Sequence, residues 1–224
     1  MMDGGIFRRV GAKYDTLVKL TTMNQDRRWR LKALSMIRGL DSPSILELAS
    51  GTGLITRELL KLYPSATILA IDSSPSMVAK HRAEIVDARV RVNVMNALDA
   101  EPSPDKFDLV ISGYLPKYVP LDRLASTIDR VLREGGEAVI FDFSIPSWPA
   151  RLFWELWIRL LRVLLYIDPD TRDMSTRLWG YIRRNDGWER LLADMLLKAK
   201  GKAYRVETVR VSFGACTILH LEPA

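Results

Sequence analysis

The stretch from Ile45 to Asp72, ILELASGTGLITRELLKLYPSATILAID, limits the fold more than any other part of the chain. An apolar run, Ile45 to Leu48, carries an acid at Glu47 and breaks into Gly51-Thr52-Gly53. A helix-like segment follows, and a second apolar run, Thr67 to Ile71, ends at Asp72. Strand, glycine turn, helix, strand and acid form the pattern of a nucleotide-binding βαβ unit. The glycines permit positive φ and close backbone approach, and the helix start presents free N–H groups. An acid at the tip of the second strand can accept both hydroxyls of a ribose.

The same residues narrow the class of nucleotide. A dinucleotide fingerprint needs a third glycine to pack the helix on the sheet, and Thr56 stands in its place. A phosphate loop needs a Lys-Ser/Thr pair, and Leu54-Ile55 stands there instead. Glu47 before the turn would also repel a pyrophosphate. S-adenosylmethionine carries ribose and adenine but no phosphate, and fits this pattern better. A Gly-x-Gly pair alone is common in ordinary turns; Glu47 in front and Asp72 behind are what make it a cofactor signature.

The rest of the chain reads as alternating helix and strand. Two helical segments, FRRVGAKYDTLVKL and DRRWRLKALSMI, precede the breaker Asp41-Ser42-Pro43. Ser73-Ser74-Pro75 predicts a helix with a hydroxyl cap and a proline in its first turn, on which His81 would sit exposed. Val90, Val92 and Val94 alternate as a third strand, leading to Met95-Asn96-Ala97. A fourth strand runs from Phe107 to Ser112, then a helix from Leu121 to Arg133 ended by Gly135-Gly136, then a fifth strand from Glu137 to Phe143. The tail predicts a helix from Thr176 to Lys198 and two strands, Ala203 to Val209 and Phe213 to Leu221. This order predicts an α/β fold, a Rossmann-like, doubly wound, mostly parallel seven-stranded sheet with helices on both faces. Ligands on such sheets bind beyond the carboxyl ends of the strands, where Asp72, Asn96, Ser112 and Asp142 all fall.

With 224 residues and 48% hydrophobic content, the chain can bury one substantial core. The expected organisation is one domain over 1–224: a helical cap at 1–40, a cofactor-binding core at 41–146, a helical acceptor-side insertion at 147–200, and the final two strands at 201–224. A single Cys216, no signal peptide and no apolar run of membrane-spanning length suit a cytoplasmic protein without disulfides. His81 and His220 have no metal-ligand spacing, so no metal is expected. Net charge is +6, but the 41–146 core is acidic, at eleven Lys/Arg against fifteen acids, and the flanks are basic. Solvated surfaces account for this as well as an anionic partner such as a membrane does.

The segment RLFWELWIRLLRVLLYI, residues 151–167, is unusual. Arg151, Glu155, Arg159 and Arg162 form one narrow polar stripe on an otherwise apolar helix. Such a helix is buried or paired, or else lies at an interface or against a substrate's prenyl chain.

The motifs ILELASGTG, AIDSSPSM, FDLVISG and VLREGGEAVIFDF resemble those of class I S-adenosylmethionine-dependent methyltransferases. FRRVGAKYD, RRWR, DFSIP and TILHLEPA further resemble the ubiquinone/menaquinone-biosynthesis C-methyltransferase family, over most of residues 6–224 and most strongly through 146. The resemblance implies S-adenosylmethionine as cofactor. Within the cofactor segments Glu47, Ser50, Gly51, Thr52, Gly53, Asp72, Ser73, Asn96, Ala97 and Ser112 become the candidate binding residues. In similar proteins Thr52 matches a contact threonine, Asp72 the ribose acid, Asn96-Ala97 the adenine pair, and Ser112 a contact beside the methionine portion. Tyr14 lies in the N-terminal motif, which in similar enzymes closes over the cofactor. Two departures concern the acceptor: Leu17-Val18 replaces a methionine-asparagine pair, and Pro116-Lys117 replaces an arginine-asparagine pair.

Methyl transfer from a sulfonium is an in-line displacement, so the protein chiefly aligns and desolvates its partners. A quinol ring carbon becomes nucleophilic when a ring hydroxyl loses its proton, which needs a base or a water relay. Lys117, Asp142 and Tyr14 are the candidate catalytic groups: Lys117 to hold a phenolate, Asp142 to orient a water. The expected partner is a small apolar acceptor such as a prenylated quinol, with peripheral membrane contact and a homodimer as further expectations. Nucleic acid is not expected, since there is no appended RNA-binding motif, no Asn-Pro-Pro-Tyr signature and no catalytic cysteine. Another apolar small molecule or lipid is an alternative acceptor, and a non-catalytic cofactor-binding subunit an alternative of a different class.

Overall fold

The computed structural model describes residues 14–102, 105–145, 148–164, 180 and 186–224. Two short helices, α1 (Tyr14–Thr21) and α2 (Asp26–Leu34), lead into the first strand. There follow β1 (Ser44–Leu48), α3 (Leu54–Leu62), β2 (Thr67–Asp72), α4 (Pro75–Glu84), β3 (Val90–Val94) and β4 (Phe107–Gly113). The chain continues through α5 (Leu121–Val131), β5 (Leu132–Phe143), α6 (Trp148–Leu164), α7 (Trp188–Lys200), β6 (Tyr204–Val211) and β7 (Cys216–Pro223).

The seven strands form one sheet in the order β3-β2-β1-β4-β5-β7-β6. β1 to β5 run parallel, and β7 enters antiparallel between β5 and β6. Strand order reverses at β1, whose neighbours are β2 and β4, so a crevice opens beyond the carboxyl ends of these strands. Strand alternation divides the core. Leu46, Leu48, Val110 and Ile140 pack towards Leu124, Ile128, Trp188 and Leu192 of α5 and α7. Ile45, Leu109, Ile111 and Phe141 face Trp29, Ile55, Leu59, Val78 and Trp154 of α2, α3, α4 and α6. Both faces are covered, which is why β1 and β4 read as continuous apolar runs.

The predicted architecture is the one found, with local corrections. The helix before β5 ends at Val131, not Arg133, because Leu132 already pairs with Phe107 of β4. Register shifts between Phe107 and Leu109, and Gly135, at φ +75°, lies within β5. Gly136 is needed for space: a Cβ there would lie 2.9 Å from the Asp108 carbonyl and 3.1 Å from that of Phe107. The hydroxyl cap expected on α4 is not made; Ser74 has no cap bond, although Pro75 does open the helix. His81 is fully buried rather than exposed. Of the helix predicted from Thr176, only Gly180 and the part from Asp186 onward lie within the described residues, where the helix begins at Trp188.

Gly136→Ala is expected to cost about 1–3 kcal/mol, because two backbone carbonyls as well as the Leu132 side chain meet the new methyl. Urea unfolding would measure it. A midpoint unchanged from wild type would mean that the β4–β5 bulge yields.

Candidate active site

The glycine turn after β1 is held by its backbone. Ser50 N–H donates to Ile71 O (2.9 Å) and Gly53 N–H to Ser50 O (3.0 Å). Asp72, at the end of β2, accepts from Gly51 N–H (2.9 Å) and from Ser74 N–H (2.8 Å). Burial pushes the Asp72 carboxyl up from its usual range, and the two N–H donors oppose that shift. Gly53 has φ +84°, and a Cβ on it would strike the buried His81 ring at 2.6 Å. His81 Nδ1 lies 3.3 Å from Ser50 Oγ. Desolvation, with Arg57 nearby, lowers its pKa to about 4, so the ring is neutral near pH 7. The helical position of His81 suggested a surface residue; only the fold shows it underpinning the turn.

Thr52, also in the turn, donates to Asp15 Oδ1 of α1 (2.7 Å), and Asp15 Oδ2 is 2.6 Å from Lys80 Nζ of α4. One carboxylate thus ties the N-terminal helix to the glycine turn and to α4. Its sequence signal is the acid that follows Tyr14 in the N-terminal motif. The Tyr14 side chain itself lies outside the described part.

Above the turn is a small cleft, partly open to solvent. Ala49 to Thr52 form one wall, Gly113, Tyr114 and Phe141 another, and Val18 of α1 and Arg30 of α2 close over them. Ala49 (φ +55°) and Tyr114 (φ +65°) are non-glycine residues in the left-handed region, one after β1 and one after β4. Strained backbone at both strand ends beside one cavity marks a shaped site.

Glu47, on β1 just before the turn, is fully buried and accepts a hydrogen bond from Thr56 Oγ1. Desolvation raises its pKa to about 8, with Asp72 adding to the rise and Arg30 opposing it. Ser112 is fully buried and donates to Leu48 O (2.8 Å), so its hydroxyl joins β4 to β1. Asn96 Oδ1 accepts from Leu98 N–H (3.0 Å), which places Ala97 in a short 3-10 turn beyond β3. Ser73 is exposed at the tip of β2. The fold therefore brings the glycine turn, Asp72 and the β4 end to one crevice, with Asn96-Ala97 at the neighbouring strand end.

Lys117 and Asp142 are brought together, but not as expected. Lys117 Nζ is 2.8 Å from Asp142 Oδ1 and donates to Tyr114 O (2.6 Å), while Lys117 N–H donates to Asp142 Oδ2 (2.9 Å). Phe143 N–H supplies a further bond to Oδ1 (2.7 Å). The ammonium also lies 4.4 Å from the Tyr118 ring centre. Side-chain exposures of 3% and 0% leave neither group open to a phenolate or a water. The pair ties the β4–α5 connection to β5. Desolvation pulls the Lys117 pKa down, and Asp142 opposes that shift.

At the other end of β5, His220 Nε2 lies 2.7 Å from Glu137, and Arg38 and Arg205 hold Glu222. Glu207, His220 and Glu222 are close enough to hold a metal ion, but both Glu222 oxygens already face guanidinium groups. This network lies at the opposite ends of the strands from the cleft.

Lys117→Met should cost about 3–5 kcal/mol by stranding a buried carboxylate, and adding Asp142→Asn should recover part of it. Denaturant unfolding of the single and double variants would show this; simple additivity would argue against coupling. Glu47 binds its proton more tightly folded than unfolded, so its contribution is full below pH 4.5 and is lost as pH rises to about 8. Glu47→Gln should therefore gain stability relative to wild type across that window, by on the order of a few kcal/mol, and level off above it. Parallel thermal melts against pH would test the sign.

Residues 45–136 match the family described as methyltransferase domain. The chain is 34% identical over 167 residues to the ubiquinone/menaquinone biosynthesis C-methyltransferase UbiE of Geobacter sulfurreducens, covering 71% of this chain and 64% of that protein. It is 31% identical over 145 residues to the demethylmenaquinone methyltransferase of Thermus thermophilus, covering 63% and 66%. The chain thus spans somewhat under two thirds of these relatives. In fold it is similar to the plantazolicin methyltransferase BpumL bound to S-adenosylhomocysteine (TM-score 0.67, 12% identity, 97% and 90% covered). It is likewise similar to the methyltransferase solved with the Haloferax volcanii Trm112 activator (TM-score 0.65, 15% identity, 97% of each chain covered). Its domain match, its relatives and its seven-stranded sheet make the chain similar to the class I S-adenosylmethionine-dependent methyltransferases and, among them, to the ubiquinone/menaquinone C-methyltransferases.

Proposed function

We propose that this chain transfers the methyl group of S-adenosylmethionine to a ring carbon of an apolar, prenylated quinol. The observation that carries the cofactor half is the crevice at the strand-order reversal, where the glycine turn, Asp72 and the left-handed Ala49 and Tyr114 meet around one cleft. In this reading Asp72 takes the ribose hydroxyls, Asn96 and Ala97 the adenine, and Thr52 and the backbone of Ser50 to Gly53 the centre of the cofactor. Glu47, Ser73 and Ser112 shape the surrounding wall. When bound, the cofactor supplies the electrophilic methyl group; the chain's part is to orient it and keep water away with Val18, Tyr114 and Phe141.

The acceptor half rests on similarity to the quinone methyltransferases and on α6. This helix docks through Trp154 against Trp29 and through Trp157 Nε1–H to Leu20 O (3.1 Å). Trp29 in turn meets Tyr114 on the cleft wall. Trp148, Leu152, Phe153, Leu156 and Leu160 remain about half exposed or more. An apolar surface of this kind, beside the cleft, suits a long hydrocarbon chain or a lipid surface. No described helix is long and apolar enough to cross a membrane. The sealed Lys117–Asp142 pair favours a second reading, another apolar small-molecule acceptor, since the quinone relatives' arginine-asparagine position offers no open polar group here.

Asp72→Ala should weaken S-adenosylhomocysteine binding by about 1–3 kcal/mol through loss of charge-assisted hydrogen bonds. Calorimetric titration would read this, with NAD as a control that should not bind; an unchanged affinity would remove the ribose role. Leu152→Ser with Leu156→Ser should lower methylation of a long-chain demethylated quinol more than of its tailless analogue. Equal losses on both would remove the chain-binding role.

A further inference from the structure

Two exposed apolar features flank Trp29, which itself meets Tyr114 on the cleft wall. The first is the outer face of α6. Trp148, Leu152, Phe153, Leu156 and Leu160 share that side at helical spacing, and Trp148 is 79% exposed. Trp154 and Leu161 point the other way, into the core. The second feature is the turn between β6 and β7, where Ser212 (φ +52°), Phe213 (φ +56°) and Gly214 (φ +88°) are all left-handed. This strained run leaves Phe213 87% exposed. The Trp29 indole donates to Ser212 Oγ (2.7 Å), and its ring lies 6.5 Å from that of Trp154, so the turn and α6 are built around one residue.

The exposed charges around these features have one sign. Arg159 is exposed at the edge of the α6 face, whereas Glu155 is paired with Arg151. α1 packs on α6 through the Trp157 bond to Leu20 O, and the neighbouring Lys19 is exposed. Arg27 and Arg28 are exposed on α2, while the acids of the two helices, Asp15 and Asp26, are engaged by Thr52, Lys80 and Arg30. Apolar side chains rimmed by cations match an anionic bilayer, whose hydrocarbon lies beneath a layer of phosphates. A symmetric contact between two copies would set these cations against one another. A single prenyl chain would leave them unmatched.

We propose that the outer face of α6 and Phe213 insert into the headgroup boundary of an anionic bilayer, with Lys19, Arg27, Arg28 and Arg159 meeting its phosphates. This docking deepens the acceptor half of the function proposed above and rests on that reading for its purpose: an acceptor dissolved in the bilayer would meet the cleft beside the docked helix.

Flotation of the full chain with phosphatidylcholine vesicles containing about 30% phosphatidylglycerol should show binding that pure phosphatidylcholine lacks and that weakens as salt rises. Trp148→Ser with Phe153→Ser should lower vesicle affinity by roughly tenfold or more, and Phe213→Ser by a smaller factor. Arg27→Glu with Arg28→Glu should also lower it by roughly tenfold or more. Each variant should keep the wild-type unfolding midpoint, since the substituted side chains are exposed. No binding to anionic vesicles, or binding that every variant retains, would overturn the docking. So would wild-type dimerisation that Trp148→Ser with Phe153→Ser abolishes while vesicles are ignored, since the occupant would then be a second copy. Vesicle binding without methylation of any demethylated quinol would sustain the docking and overturn the quinol acceptor instead.

Discussion

The carboxylate of Asp72 joins the parts of this site. It accepts one N–H from the glycine turn after β1 and one from the start of α4, and so locks two adjacent strand ends into a common geometry. Around that lock the other contacts follow. Thr52 is placed to meet Asp15, Lys80 on α4 is placed to meet the same carboxylate, and the N-terminal helix becomes the roof of the cleft. The lock is electrostatically sensitive because burial disfavours the charged carboxylate and only the two N–H donors compensate. A ribose entering this site would meet an acid already oriented by backbone.

A second principle of the fold is that its buried charges are spent on connecting elements distant in sequence. Lys117 and Asp142 fasten the β4–α5 connection to β5, and Glu137, His220 and Glu222 join β5 to β7 with help from Arg38 and Arg205. Each pair trades desolvation for short hydrogen bonds in a protected place. Arg30 differs from these in having one edge satisfied and one not, and it lies on the cleft rather than in the sheet.

Among the described residues, α6 carries the densest run of exposed large apolar side chains. Its inward residues, Trp154 and Leu161, join the core, while Leu152, Leu156 and Leu160 recur every fourth residue on an outer face. The Arg151–Glu155 ion pair runs along the same helix at 3.0 Å. A helix with an inner and an outer apolar face is suited to lie between a core and another apolar phase. The sequence suggested burial or interfacial exposure as alternatives; α6 buries Trp154 and Leu161 and leaves Leu152, Leu156 and Leu160 exposed.

What the sequence determined by itself is what periodicity and turn chemistry encode locally. The apolar runs of β1, β2, β4 and β5, the glycine turn with its flanking acids, and the alternation of helix and strand led to the parallel sheet and the class of cofactor, because each signal lies within a few residues of its consequence. Tertiary structure decided the rest. His81 has the spacing of a surface residue, yet the approach of α4 to Gly53 buries it. Lys117 and Asp142 looked like pocket groups at two strand ends, yet their mutual attraction across 25 residues closes them to solvent. Arg30 and Asp15 are ordinary charges on short helices until those helices fold back over the glycine turn. Long-range electrostatic pairing and desolvation depend on where other elements pack, and no local pattern carries that information.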